Sequence, residues 1–157
     1  DHEIMINADS FTPTDDNLIP SGGKAGVAGT PMDFSQRRRI GGRIGEDYLP
    51  LKQGLGYDHC YVLSGGHGLK TAARVSDPKS GRVMTVETTE PAVQFYTSNH
   101  MKRMTGCKNG HTYDFRGALC LETQHYPDSP NHPDFPSTGL RPGDTYQQTT
   151  VYKFSVE

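Results

Sequence analysis

The strongest constraint on this chain is the period of its apolar residues. They alternate with polar ones over short stretches, each soon ended by Gly, Pro, Asp or Asn, and no helical stripe of respectable length interrupts them. Ile4 and Ile6 alternate with Glu3, Met5 and Asn7 over residues 3–7. Further strand-like segments fall at 57–63, 70–75, 82–88, 92–97 and 118–124. The DPKSG stretch at 77–81 is turn chemistry, with Pro presetting its own φ and Gly tolerating a positive one, so 70–75 and 82–88 read as a β-hairpin. Residues 145–156 set Tyr146, Thr150, Tyr152, Phe154 and Val156 on one face, the cleanest period-two pattern in the sequence. Stretches 22–56 and 126–143 are rich in Gly and Pro and read as long loops, of the kind that build sites. The architecture implied is all-β, an antiparallel β-sandwich or barrel, in one domain spanning 1–157.

Composition sharpens this reading and excludes others. With 18 Gly and 11 Pro but no three-residue period, the chain is not collagen-like. Its 16 basic residues nearly balance 18 acidic ones, which argues against disorder and leaves no global field to attract nucleic acid. The single basic run, Arg37-Arg38-Arg39, reads as a solvated loop. No apolar run approaches the roughly 18 residues of a membrane span. Cys60, Cys107 and Cys120 are an odd number at wide spacings, so a reducing, cytoplasmic setting is expected. Only 28 of the 157 residues are Leu, Ile, Val or Phe. That is a lean supply for a self-sufficient core, and the first residue is Asp1, so the chain is expected to be a piece of something longer whose core lies partly elsewhere.

Three side chains stand out chemically. Alternation in 118–124 puts Glu122 on one face with Cys120 and Gln124, opposite Leu119 and Leu121. A carboxylate in so apolar a strand is either a general base with its pKa raised by partial burial, or an edge-strand Glu facing water. Asp58 and His59 sit where a loop meets the strand at 57–63, and as strand neighbours they point to opposite faces, so they do not form one dyad. Asp58 is read as a turn former or a ligand for a polar group. Gln94 is an amide within an otherwise apolar segment, suited to satisfying backbone groups or to reading hydroxyls. The seven histidines show no metalloprotease or zinc-finger spacing, so no metal is expected. The Gly-rich stretches at 41–45 and 65–68 match neither the dinucleotide fingerprint nor the P-loop, and no Gly-x-Ser-x-Gly elbow occurs.

At these same residues the chain resembles the C-terminal half of the aldose 1-epimerase family. The matching stretches are INADSFTPTDDNLIPSG (6–22), VAGTPMDF (27–34), GYDHCYVL (56–63), SGRVMTVETTEPAVQFYTSN (80–99), CLETQHYPDSPNHPDFPS (120–137) and LRPGDTYQQTTVYKFSV (140–156). The resemblance implies a large antiparallel β-sandwich of roughly twice this length, within single-domain range for all-β folds. It implies interconversion of the α and β anomers of galactose, glucose and related aldoses, without metal or organic cofactor. By the same resemblance the Glu of the CLETQ block, Glu122, is the catalytic base. The Asp of the Tyr-Asp-His block, Asp58, and the Gln of the Gln-Phe-Tyr-Thr block, Gln94, bind the sugar.

Anomers interconvert through an open-chain aldehyde, so a base must take the C1 hydroxyl proton while an acid protonates the ring oxygen. In the family that acid is a His in an Asn-His-x-Tyr-type block, upstream of the position where this chain begins. A second sugar-binding His and an Asn-Arg pair lie further upstream. None of these is in the sequence, and His100 and His125 are the only remaining histidines with any prospect of standing near the site. The alternatives are a non-catalytic sugar-binding or structural module, and a relative acting on sugar phosphates with Arg37, Arg38, Arg39 and Arg43 as its candidate phosphate ligands. Taken alone, residues 1–157 are expected to be aggregated or partly folded, because unpaired strand edges and uncovered apolar faces recruit other chains.

Overall fold

The computed structural model describes residues 1–157 and is built from two five-stranded antiparallel sheets. The strands are β1 (Glu3–Ile6), β2 (Ala8–Phe11), β3 (Ala25–Gly26), β4 (Arg38–Arg39), β5 (Asp58–Leu63), β6 (Lys70–Ser76), β7 (Arg82–Thr88), β8 (Ala92–Tyr96), β9 (Cys120–Gln124) and β10 (Thr150–Val156). One sheet has the order β10-β7-β6-β1-β4 and the other β3-β2-β5-β8-β9. The hairpin read from the DPKSG turn is the β6–β7 pair, in which Val75 faces Met84 and Ala73 faces Val86.

Both sheets turn one apolar face inward, which makes the fold a sandwich. Ile4, Ile6, Ala73, Val75 and Val86 from the first sheet meet Phe11, Tyr61, Val93, Phe95 and Leu121 from the second in one continuous core. The stretch at 22–56, expected to be loop throughout, supplies more than a loop. It carries β3, β4 and a five-residue helix α1 (Leu49–Gln53), and its Met32 and Phe34 are buried between the sheets. Phe34 packs edge-on against Tyr57 and Phe95 at 5.0 and 5.7 Å, and Tyr57 stacks on Phe95 at 5.3 Å. The Tyr57 and Tyr61 hydroxyls donate to the carbonyls of Pro31 and Met32, each at 3.1 Å, so the buried phenols also satisfy the loop that plugs the core. Alternation is blind to this plug because its segment has no regular period.

The strand expected over 145–156 is shorter, and its apolar face is not buried. Tyr152 pairs with Val86 and sends its hydroxyl to the Leu121 carbonyl of β9, the last strand of the other sheet. Phe154 and Val156 project beyond it and are 76% and 75% exposed. The pattern predicts the face correctly, but the opposing sheet ends before it covers that face. Two arginines of the basic run are paired with acids: Arg37 with Glu3 and Glu157, and Arg39 with Asp1. No helix is long and apolar enough to cross a membrane.

His59 is the one ionisable imidazole in the core, 1% exposed and edge-on to Phe11 at 5.7 Å. Its Nδ1 accepts the Asp58 backbone N–H at 3.0 Å, and burial pushes its pKa down from 6.5 to about 4. The unfolded chain therefore binds a proton that the folded chain refuses between these values. This contribution to stability is complete above pH 6.5, falls as pH drops toward about 4, and levels off below. Its full size is roughly 3 kcal/mol. Thermal midpoints measured from pH 7 to pH 4 are expected to fall less steeply in His59→Phe than in the parent; parallel slopes would contradict the assignment. A second expectation concerns β10. Phe154→Lys combined with Val156→Lys should reduce self-association of the 157-residue chain in sedimentation velocity while its β-sheet circular dichroism is kept. Unchanged association would show that this face is not its cause.

Candidate active site

The site lies on the outer face of the second sheet and follows from strand register. β5, β8 and β9 pair antiparallel, with Cys60 opposite Gln94 and Gln94 opposite Glu122. The next row pairs Asp58 with Tyr96 and Tyr96 with Cys120. Directly opposed residues share a face, so two adjacent rows carry all three residues singled out in the sequence. Their neighbours His59, Tyr61, Val93, Phe95 and Leu121 point the other way, into the core. Asp58 and His59 thus part to opposite faces, as alternation requires.

These side chains line one cleft of about 340 Å³, whose walls include Thr12, Thr14, Asp58, Gln94, Tyr96 and Glu122. That is within the range of small-ligand sites. One wall is the loop after β2, closed by a bridge between Thr14 and Pro20 and by the Ser21 N–H donating to the Pro13 carbonyl at 2.9 Å. Within it the Asp15 carboxylate accepts the N–H groups of Asn17 and Ile19, which holds that carboxyl below the usual range. Leu18, with φ of 63°, turns the tip so that its side chain joins the lining.

Polar atoms in the cleft are only partly satisfied. The Gln94 amide donates through Nε2 to Asp58 Oδ1 at 2.8 Å, which fixes both side chains. Gln94 Oε1 and Thr14 Oγ1 are buried without a hydrogen-bond partner, and the Thr12 hydroxyl has only the weak Cys60 thiol beside it. A buried polar atom left unmade costs about 1–3 kcal/mol, so a cleft lined with several of them is built for a ligand rich in hydroxyls, or for the water that one displaces. The Cys60 thiol is pushed up to about 12 by burial, which leaves it without a nucleophilic role.

Glu122 lines this cleft but is exposed, because β9 is the last strand of its sheet. The partial burial expected of it is therefore not met in this chain, and of the two readings offered by the sequence the water-facing edge position is the observed one. Facing water and facing the cleft are here the same thing. The two histidines that could in principle stand near the site separate. His100 Nε2 lies 4.0 Å from Asp58 Oδ2, whereas His125 turns away to Glu90, with Nδ1 2.7 Å from Oε2. Glu90, 3% exposed, also accepts the Tyr146 hydroxyl at 2.6 Å. Thr12, Thr14 and Tyr96 are lining residues that sequence reasoning missed: the first two lie in a Pro-rich stretch with no period, and Tyr96 reads as one more aromatic in a strand. None of Arg37, Arg38, Arg39 and Arg43 lines the cleft, and Arg43 is engaged by Glu46 and the Thr30 carbonyl. No three His, Cys, Asp or Glu side chains converge as a metal ion requires.

Known proteins match along this whole length. A family model described as aldose 1-epimerase matches residues 1–153. Galactose mutarotase from Homo sapiens is 43% identical over 156 residues, and aldose 1-epimerase from Escherichia coli K12 is 37% identical over 161. Each alignment covers 99% of this chain but only 44% and 45% of the relative, so the chain spans under half the length of these proteins. Among solved structures, an aldose epimerase homologue from C. elegans superposes with a TM-score of 0.85 at 31% identity, covering 99% of this chain and 46% of that one. A galactose 1-epimerase from Lactobacillus acidophilus gives 0.83 at 30%, covering 99% and 44%. The two-sheet architecture, of which strand period gave the antiparallel all-β class, agrees with these relatives, and the chain belongs to the aldose 1-epimerase family.

Proposed function

We propose that the protein carrying this chain is an aldose 1-epimerase that interconverts the α and β anomers of galactose and glucose, working in the cytoplasm as part of hexose metabolism. The observation that carries this reading is the convergence of Asp58, Gln94 and Glu122 on one cleft whose buried polar atoms lack partners. Asp58 and Gln94, locked to each other, present a carboxylate oxygen and an amide oxygen to sugar hydroxyls. Glu122, which stands opposite Gln94 on β9, takes the C1 hydroxyl proton in this reading. The ring oxygen must receive a proton as the C1–O5 bond breaks, and the acid that gives it is the family's His, supplied from outside residues 1–157. Rotation about C1–C2 then lets the ring close on the other face of the aldehyde: as the C5 hydroxyl oxygen bonds to C1, the His takes back that hydroxyl's proton and Glu122 returns its own to the C1 oxygen. No Lys or Arg lines the cleft, which favours a neutral aldose over a phosphorylated one. No cofactor enters this chemistry, and the three free cysteines suit a reducing compartment.

Glu122→Gln in the complete protein is expected to cut anomer interconversion by about 10² to 10⁴ while leaving sugar affinity nearly unchanged, because it keeps shape and removes the base. Polarimetry on freshly dissolved α-galactose measures it, and near-parental turnover would remove Glu122 from the role of base. Asp58→Asn and Gln94→Ala should act differently. Contacts made equally in ground and transition states raise KM with little change in kcat, and steady-state kinetics over a range of galactose concentrations separates the two constants. A variant that lowers kcat alone would show that its residue does not simply hold the sugar.

A further inference from the structure

The proposed function accounts for Asp58, Gln94 and Glu122 but leaves without a use a histidine that stands beside the cleft, next to two of its lining residues. His100 is half exposed, and its Nε2 stands 4.0 Å from Asp58 Oδ2, too far for a direct hydrogen bond. Gln94 already occupies the other oxygen of that carboxylate, so Oδ2 is the one left to a ligand. A hydroxyl oxygen set between His100 and Asp58 can lie about 2.8 Å from both, accepting the Nε2 proton and giving its own to Oδ2.

The mount of His100 is rigid, which separates it from a passing surface histidine. Its ring stacks on Tyr96, a lining residue, at 6.2 Å and 14°, and its backbone N–H donates to the Tyr96 hydroxyl at 3.1 Å. The turn just before it is buried: Thr97, Ser98 and Asn99 are each under 5% exposed, and Ser98 holds φ of 53°. Asn99 donates from Nδ2 to the carbonyls of Gly54 at 3.0 Å and Tyr57 at 2.8 Å, and its Oδ1 accepts the Thr97 hydroxyl at 2.8 Å. Gly56 permits this approach, since a Cβ there would fall 2.3 Å from Asn99 Oδ1. Two of these anchors belong to the segment leading directly into Asp58, so His100 and Asp58 are held to each other through one buried network.

We propose that His100 is a substrate-contacting residue that reads one hydroxyl of the bound aldose jointly with Asp58, and so determines which sugars the cleft prefers. This rests on the mutarotase reading of the same cleft. It makes His100 a specificity residue rather than the missing acid, because its partner is the sugar-holding carboxylate and not Glu122.

The test is binding to the complete protein in the Glu122→Gln background, where turnover does not intrude, with and without His100→Phe. Titration calorimetry with galactose and with its 2-, 3-, 4- and 6-deoxy analogues gives the dissociation constants. Phe keeps the stack on Tyr96 and removes the donor, so galactose is expected to bind about tenfold more weakly, equivalent to 1.4 kcal/mol. One deoxy analogue, lacking the hydroxyl that His100 reads, is expected to bind both proteins equally, and His100→Gln should recover most of the loss. Unchanged galactose affinity, or equal weakening for galactose and all four analogues, would overturn the proposal. A failure of the mutarotase reading shows itself separately, as anomer exchange that survives Glu122→Gln.

Discussion

Everything at the candidate site hangs on the register of three strands. β5, β8 and β9 align so that Cys60, Gln94 and Glu122 form one row and Asp58, Tyr96 and Cys120 the next. Because side chains alternate faces, a slip of one residue in β8 or β9 would send Gln94 or Glu122 into the core and bring Phe95 or Leu121 out. The apolar residues between the functional ones are therefore what enforce the register. Phe95 stacks on Tyr57, and Leu121 is buried in the same core, so the site is assembled on one face by packing on the other.

That packing is stabilised by a segment with no secondary structure of its own. Met32 and Phe34 enter the sandwich between the sheets, and the Tyr57 and Tyr61 hydroxyls bind the backbone there. Both tyrosines flank or belong to β5, and burial drives their pKa values up, so each phenol remains a neutral donor to a carbonyl. The same strand is tied at its mouth to the Thr97–Asn99 turn. β5 is thus clamped at its core face and at its entry, and Asp58 stands where the two clamps meet.

The sequence made these parts legible to different degrees, for physical reasons. Period two revealed seven of the ten strands and the opposite facing of Asp58 and His59, because apolar residues recur at alternate positions along them. It was silent on β2, β3 and β4, which are two to four residues long, and on the plug at Met32 and Phe34, where burial depends on distant partners. Over 145–156 it identified the apolar face of β10 but not its exposure, since covering a face is a property of the opposing sheet. Glu122, Asp58 and Gln94 were each visible as polar residues in strands. That they share a cleft was not, because the spacing between strands carries no register. Thr12 and Thr14 lie in an irregular segment and gave no signal, and His100 was visible only as a histidine outside any matching block.

The claim that joins these observations is that one sugar binds across the Asp58–Gln94–Glu122 face in a pose fit for proton transfer at C1. A crystal structure of the complete protein carrying Glu122→Gln, soaked with galactose, tests it most directly. The expected result is a single galactose in the cleft, with hydroxyls on Asp58 and Gln94 and the side chain at 122 within about 3 Å of the C1 oxygen. A sugar bound elsewhere, or bound here with C1 turned away from position 122, would contradict the account.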